Sequence, residues 1–142
     1  MTAREAEIIE LIRKEVKPAL GCTEPIAVAL AVAKAMEIIE EKCAPEASWR
    51  MGKGYSLRIE VSGNILKNGM GVGIPGTGMI GLPIAIALGM IIGKSSYKLE
   101  VLKEVTPEAV KRGKQYIDEG RISISLKEDA PDGLYIKVCA HL

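Results

Sequence analysis

The stretch Gly21-Cys22-Thr23-Glu24-Pro25-Ile26-Ala27 predicts the start of a helix. Thr23 is a good N-cap residue, and Glu24 and Pro25 are typical of a first helical turn. The apolar run that follows contains no strong helix breaker, so we predict a helix over residues 24–41. The first half of this helix is apolar on most faces, which predicts that it is the most buried helix of the fold.

The cysteine in this stretch is a candidate for chemistry because of its position. Cys22 precedes the predicted helix, and the N-terminus of a helix carries partial positive charge, which favours a thiolate over a thiol. A thiolate can act as a nucleophile or as a base. The structural alternative is a small apolar residue that happens to precede a helix, and the stretch by itself leaves both interpretations open.

An amphipathic helix is predicted before this stretch, over residues 4–17. Its apolar residues recur at near-helical spacing on one side, namely Ile8, Ile9, Leu11, Ile12 and Val16. The segment Lys17–Gly21 is expected to break this helix, and residues 43–54 are expected to form a loop.

The rest of the chain mixes strand and helix patterns. Strands are predicted at Tyr55–Val61, Gly69–Ile74, Ile122–Leu126 and Leu134–Val138, and the last two are expected to form a hairpin. A buried helix is predicted over Leu82–Ile92, and Thr106-Pro107-Glu108 predicts a helix that runs to Glu119. We therefore predict one α+β domain over residues 1–142, with a small, largely antiparallel sheet packed against helices and one buried central helix.

Composition excludes several classes of protein. The chain has 142 residues, 48% of them hydrophobic and 26% charged, with a formal net charge of +1 and no block of like charge, so nucleic acid is not an expected partner. The longest uncharged stretch, Gly69–Gly93, is too rich in Gly and Pro and too short in its apolar part for a membrane span. The N-terminus lacks the apolar core of a signal peptide, and the expected compartment is therefore the cytoplasm, with reduced thiols.

Three blocks of the sequence resemble one known family. They are Glu15–Pro25, which contains the Gly-Cys-Thr-Glu-Pro motif; Asn64–Gly69 with Gly71 and Val72; and Pro75–Gly78 leading to Gly81–Ala85. Together these blocks resemble the L-cysteine desulfidase family, relatives of the iron–sulfur L-serine dehydratases. The resemblance runs from about Glu15 to Leu126.

The resemblance implies a lyase that converts L-cysteine to pyruvate, ammonia and sulfide, with L-serine as the second candidate substrate. It implies that Cys22 is the proton acceptor, and a role for Cys22 as a cluster ligand is the alternative. It also implies a [4Fe-4S] cluster whose ligands lie outside this chain, in a C-terminal part that continues beyond Leu142. We therefore expect this chain alone to be inactive. The expected partners are an amino-acid substrate and that C-terminal part, and a homo-oligomer is also compatible.

Further candidate site residues lie in the motif blocks. Asn64, Lys67 and Asn68 are predicted to bind the substrate carboxylate or the carbonyl oxygen of an intermediate, against the alternative that Asn68-Gly69 forms a plain hairpin turn. Thr77, in the glycine-rich loop before the buried helix, is predicted to bind a carboxylate, against a loop that only turns the chain. Thr23 is included as a substrate-binding candidate beside Cys22. Glu24 is predicted to orient a substrate amine, against simple complementation of the helix dipole.

A nucleotide-binding module is the main rival from another class. Gly71-x-Gly73-x-x-Gly76 and Gly76-x-Gly78-x-x-Gly81 both match a dinucleotide fingerprint, and Glu100 lies at a suitable distance for a ribose contact. A regulatory or scaffolding domain is a third, non-catalytic hypothesis. Cys43 and Cys139 are predicted to be structural, and Cys139 with His141 supplies too few ligands for a metal site.

Overall fold

The computed structural model describes residues 1–16, 21–42 and 56–141. The elements follow the order α1 (Ala3–Glu15), α2 (Thr23–Lys42), β1 (Ser56–Val61), α3 (Gly63–Met70), β2 (Gly73–Ile74), β3 (Met79–Ile80), α4 (Leu82–Ile91), a 3₁₀ segment (Ser95–Glu100), α5 (Pro107–Asp118), β4 (Ile122–Leu126) and β5 (Ile136–His141). The predicted α+β class is confirmed. The predicted loop over residues 43–54, most of the break before Gly21, and Cys43 lie outside the described residues.

The main sheet has three strands in the order β4-β1-β5. β1 pairs in parallel with β4 and antiparallel with β5, and a separate two-stranded antiparallel sheet joins β2 to β3. Two of these three pairings are antiparallel. The predicted hairpin between the last two strands is wrong, because β1 lies between them. Alternation shows which face of a strand is buried but does not identify its neighbour.

The loop between β4 and β5 explains how the chain crosses the sheet. The Ser62 hydroxyl, at the end of β1, donates to the Gly133 carbonyl at 2.7 Å and accepts from the Tyr135 backbone N–H at 3.2 Å. The Ser62 N–H also donates to the Tyr135 carbonyl at 3.0 Å. These bonds hold the loop across the end of β1, so that β5 forms on its opposite edge.

Two helices, α2 and α4, lie side by side, with the sheet on one side of the pair and the 3₁₀ segment and α5 on the other. α2 and α4 pack on the inner face of β1 through Val32, Met36 and Ile86, and their other sides pack with Leu102 and Ala109. Eight of the ten α4 residues are buried, against seven of the twenty in α2. The prediction that the helix over 24–41 is the most buried is therefore wrong: α4 is, because it contacts the sheet, α2 and α5 together.

α5 and α1 form where the sequence predicts helices, whereas one predicted strand is wrong. α5 begins after Thr106, whose hydroxyl accepts from the Ala109 N–H at 3.1 Å, with Pro107 as its first residue. α1 begins after Thr2 in a capping box with Glu5, but no residue of α1 is buried. The predicted strand over Gly69–Ile74 is wrong over most of its length, because Gly69 and Met70 belong to α3.

The short helix α3 replaces the hairpin turn that Asn68-Gly69 suggested. Its buried residues, Ile65 and Gly69, are four apart and share one face. A Cβ added at Gly69 would lie 2.5 Å from Leu82 Cδ2, so the absence of a side chain lets α3 approach the start of α4. Long-range packing therefore overrides the local turn signal, and it places Asn64, Lys67 and Asn68 on an exposed helix surface.

Candidate functional site

Cys22 stands at the N-cap of α2. The helix begins at Thr23, and the Ile26 N–H donates to the Cys22 carbonyl at 3.3 Å, which is the first bond of the helix. The prediction that Thr23 is the N-cap is therefore wrong by one residue, because Thr23 is already helical. Both side chains are exposed. The expected neighbourhood of Cys22, the positive end of a long helix, is present.

Glu24 joins two candidate residues that are distant in the sequence. The Cys22 thiol donates to Glu24 Oε2 at 3.2 Å, and Asn68 Nδ2 donates to Glu24 Oε1 at 3.3 Å. The two carboxylate oxygens therefore each accept one side-chain donor, one from the start of α2 and one from the end of α3. We call these three residues the Cys22–Glu24–Asn68 cluster.

Hydrogen bonds hold the Glu24 carboxylate in its charged form. The pKa of Glu24 is lowered, chiefly by the bond from the Cys22 thiol, then by its own backbone N–H, with a smaller contribution from Asn68. Partial burial acts in the opposite direction. Glu24 is therefore an ionised hydrogen-bond acceptor at neutral pH, and it holds the Cys22 thiol in place.

Lys67 and Asn64 lie on the same short helix as Asn68, with different surroundings. Lys67 is exposed beside Asn68 and has no ion-pair or hydrogen-bond partner within residues 1–16, 21–42 and 56–141. Asn64 lies one turn before Asn68, and its Nδ2 is 3.1 Å from the position of a Cβ added at Gly133. The structure thus brings Asn68 to the start of α2, whereas Lys67 is exposed one residue before it on α3 and Asn64 lies against the β4–β5 loop.

The glycine-rich turn also packs against the start of α2. A Cβ added at Gly21, whose φ is 99°, would lie 3.1 Å from Pro75 Cδ. Thr77 lies in the same turn and is buried, and its hydroxyl donates to the Ile74 carbonyl at 2.6 Å and accepts from the Met79 N–H at 2.9 Å. The turn therefore neighbours Cys22, but the Thr77 hydroxyl is used in holding β2 to β3. Its predicted role in carboxylate binding stays untested.

The fold around the glycines does not supply the context of a dinucleotide site. Such a site needs a strand, a glycine-rich turn and a helix that returns to a parallel strand. Here the fingerprint glycines span the antiparallel β2–β3 hairpin, and β3 lies inside the second match. Glu100 ends the 3₁₀ segment. The described residues therefore offer no geometric support for the nucleotide-binding hypothesis.

Comparison with known proteins finds close relatives that are much longer than this chain. A protein of Bacteroides fragilis is 63% identical over 132 residues, which cover 93% of this chain and 28% of the relative. A protein of Parabacteroides distasonis is 56% identical over 137 residues, covering 96% and 29%, and one of Photobacterium profundum is 47% identical over 130 residues, covering 92% and 28%. All three are named UPF0597 proteins. No family model and no solved structure matches the chain.

These relatives correct the family resemblance stated above. The assignment to the L-cysteine desulfidase family is wrong, because the proteins that match nearly the whole chain at 47–63% identity carry the UPF0597 name. None of the three is named as a desulfidase or a serine dehydratase. The chain spans about 28% of the length of these relatives. What it does must therefore be argued from its own residues.

The donor set does not fit an iron–sulfur cluster. A cluster of this kind is held by several cysteine thiolates, typically four. The structure describes two free cysteines, Cys22 at the start of α2 and Cys139 on β5, and it finds no group of three or more His, Cys, Asp or Glu residues within the described ranges. We therefore derive no step through a cluster.

No described helix is long and apolar enough to cross a membrane.

Sequence reasoning named every member of the cluster but missed how they are connected. Glu24 was expected to complement the helix dipole or to bind an amine, whereas it bridges Cys22 and Asn68. Glu24 and Asn68 are 44 residues apart, so no local pattern predicts their bond. One weak sequence signal of this neighbourhood was present. Gly21 precedes Cys22, and a glycine there allows Pro75 and the turn to pack close to the start of α2.

The bond from Cys22 predicts a measurable change in Glu24. Replacing Cys22 with alanine is expected to raise the pKa of Glu24 towards its ordinary value, because the largest cause of the lowering is removed. Asn68→Ala is expected to raise it less, and Cys139→Ala is expected to leave it unchanged. A ¹³C NMR titration of the Glu24 carboxyl carbon measures all three. A larger rise in Asn68→Ala than in Cys22→Ala would contradict the order of causes.

Proposed function

We propose that this chain supplies the base and the substrate-binding groups of a lyase that acts on a small β-substituted L-amino acid, with L-cysteine first and L-serine second. The observation that carries the proposal is the Cys22–Glu24–Asn68 cluster at the N-terminus of α2. It combines a thiol, an ionised carboxylate that accepts a hydrogen bond from it, and an amide donor on one exposed surface. We place the reaction in the cytoplasm, where the thiol stays reduced.

The proposed base is Cys22. Its thiol is held by a hydrogen bond to the Glu24 carboxylate and lies at the positive end of α2, where the helix dipole favours a thiolate. A base that removes the α-proton of an amino acid must lie within hydrogen-bond reach of that carbon, and an exposed thiolate at a helix start can be approached in this way. Glu24 thus positions the base, and its second oxygen remains held by Asn68.

The proposed substrate carboxylate site is the end of α3. Lys67 supplies an exposed ammonium without a partner in the described part of the chain, and the neighbouring Asn68 supplies amide hydrogens. An ammonium and an amide can both donate to a carboxylate oxygen. Because Asn68 also contacts Glu24, a carboxylate bound there would lie within a few ångströms of the base.

The chemistry is a β-elimination. The α-proton passes to the Cys22 thiolate, the electron pair of the broken C–H bond forms the Cα=Cβ bond, and the bond from Cβ to sulfur breaks with its electron pair on sulfur. The leaving sulfide takes a proton, and the enamine product tautomerises to an imine that water hydrolyses to pyruvate and ammonia. With L-serine, hydroxide leaves and takes a proton to become water. The [4Fe-4S] cluster expected to assist the leaving group stays a prediction about sequence outside this chain.

A full-length polypeptide that carries this segment tests the proposal. It is purified anaerobically, supplied with iron and sulfide, and assayed for pyruvate from L-cysteine and from L-serine. In D₂O, the α-position of unreacted substrate is followed for deuterium, because a thiol base exchanges its proton with solvent. We expect pyruvate from at least one substrate and none from the 142-residue chain alone. No pyruvate and no α-deuterium with either amino acid would overturn the lyase.

The same assay separates the rival hypotheses. Pyruvate from L-serine but not from L-cysteine would assign a dehydratase. A regulatory or scaffolding domain would tolerate Cys22→Ala without a change in any activity of the full-length protein. A nucleotide-binding module would show a higher melting temperature when dinucleotide is added, since a ligand that binds only the folded state stabilises it.

A further inference from the structure

The helix α1 presents an apolar face that packs against nothing in the described part of the chain. Five apolar residues are between 39% and 67% exposed, namely Ile8, Ile9, Leu11 and Ile12 within the helix and Val16 directly after it. At 100° per residue these five fall within one side of the helix. Glu7, Glu10, Arg13 and Lys14 lie on the other side, whereas Arg4, Glu5 and Glu15 fall within the apolar side, near its two ends. The amphipathic pattern is thus present without the surface that it normally covers.

The termini of α1 stabilise it only in part. Thr2 and Glu5 form a reciprocal capping box, and Arg13 and Lys14 lie in the last turn, where the helix dipole favours cations. A helix of 13 residues is nevertheless marginal in water without tertiary packing. The persistence of α1 in a working protein therefore requires a partner for its apolar face.

A second exposed apolar patch lies beside the Cys22–Glu24–Asn68 cluster. Met70 is 42% exposed and Ile80 is 66% exposed. They lie on neighbouring segments, because a Cβ added at Gly81 would lie 3.2 Å from the Met70 carbonyl oxygen. Met70 follows Asn68 by two residues. Exposed apolar side chains thus lie close to the cluster along the chain, and Val16, at the end of α1, precedes Cys22 by six residues and so lies at most about 22 Å from it.

The length of the relatives indicates what covers these surfaces. The relatives are about 3.5 times longer than this chain. Their additional sequence belongs to the same polypeptide, so its effective concentration at the surface is about millimolar for a short linker. A second copy of this chain at micromolar concentration would be outcompeted. The additional sequence is therefore the favoured occupant.

We propose that the apolar face of α1 docks on the part of the longer polypeptide that lies outside this chain, and that the docked part also covers the Cys22–Glu24–Asn68 cluster. α1 then serves as an anchor close to the cluster in the chain, and the exposed Met70 and Ile80 side chains receive the same partner. The docking does not depend on which reaction the cluster performs. It explains why a thiol, a carboxylate and an amide that form a cluster are left open to water in this chain.

Hydrogen exchange on two proteins tests the docking. One is the 142-residue chain, and the other is the Bacteroides fragilis relative with its matching segment replaced by this chain. The backbone amides of residues 8–16 are expected to exchange at least about tenfold more slowly in the longer protein. Alkylation of Cys22 by iodoacetamide is expected to slow as well, whereas alkylation of Cys139 serves as the comparison.

Matched variants of α1 show whether the apolar face is responsible. The double variant Leu11→Gln/Ile12→Gln is expected to lose the slower amide exchange of the longer protein. Glu10→Gln, on the opposite side of α1, is expected to retain it. Since these side chains are exposed, neither change should alter the melting temperature of the 142-residue chain. A second measurement, co-purification of the 142-residue chain with the remainder of the relative expressed separately, covers the case in which the hybrid fails to fold.

Three results would overturn the proposal. The first is equal exchange of α1 amides in the short and long proteins. The second is no association with the separately expressed remainder. The third is a dimer of the 142-residue chain that Leu11→Gln with Ile12→Gln disrupts, since that result assigns the face to a second copy. Failure of the lyase assay with α1 protected in the longer protein would overturn only the proposed function.

Discussion

Replacing Cys22 with alanine in a full-length polypeptide is expected to lower the rate of pyruvate formation from L-cysteine by about 10²- to 10⁴-fold, the usual contribution of a positioned base. The reason is that alanine has no group to accept the α-proton, and the lowered pKa of the neighbouring Glu24 makes its carboxylate a weak base. Steady-state kinetics measure the effect. We expect the loss in kcat, with KM changed little, because Lys67 and Asn68 are proposed to bind the carboxylate.

Two controls separate a lost base from a damaged fold. Cys139→Ala removes the other described free thiol, from β5, and is expected to retain the activity. Cys22 is exposed, so its replacement is expected to leave the melting temperature of the protein within about a degree of the wild type, as for other surface changes. Full activity in Cys22→Ala would remove Cys22 from the mechanism and leave the scaffolding hypothesis ahead.

Replacing Gly89 with alanine is expected to lower the free energy of unfolding by about 2 kcal/mol, the range of overpacked core sites. A Cβ at this position would lie 2.7 Å from the Ala29 carbonyl oxygen and 3.1 Å from Ala29 Cα. Both contacts are with backbone, so only a separation of α2 from α4 can relieve them. The helix propensity of alanine, by itself, would instead stabilise α4 by about 1 kcal/mol.

A glycine in open space provides the comparison for Gly89. Gly71 follows α3 with φ of −103°, and a Cβ added there would meet nothing within 4 Å. Gly71→Ala is therefore expected to change the free energy of unfolding by less than about 0.5 kcal/mol. Urea denaturation of both variants measures the difference. If Gly89→Ala were as stable as the wild type or more so, the close packing of α2 on α4 would be wrong.

The elements that sequence predicts well are those with local signals. α4 is a continuous apolar run, and α5 begins with Thr106 and Pro107, which cap a helix wherever they occur. β1 and β4 alternate in a way that local residues decide. The hairpin turn that Asn68-Gly69 predicts does not form, although its signal is also local. Packing of Gly69 on Leu82 overrides that signal, and the segment forms α3 instead.

The sequence by itself determined the α+β class, the helix that begins beside Cys22 and the identity of the candidate site residues, because caps, periodicity and residue chemistry act over a few positions. Only the tertiary structure decided that β1 separates β4 from β5 and that α4 is the most buried helix. It also decided that Glu24 accepts from both Cys22 and Asn68. These features depend on contacts between segments distant in the sequence, namely Ser62 with the β4–β5 loop, α4 with the sheet, α2 and α5, and α3 with α2, which no short pattern encodes.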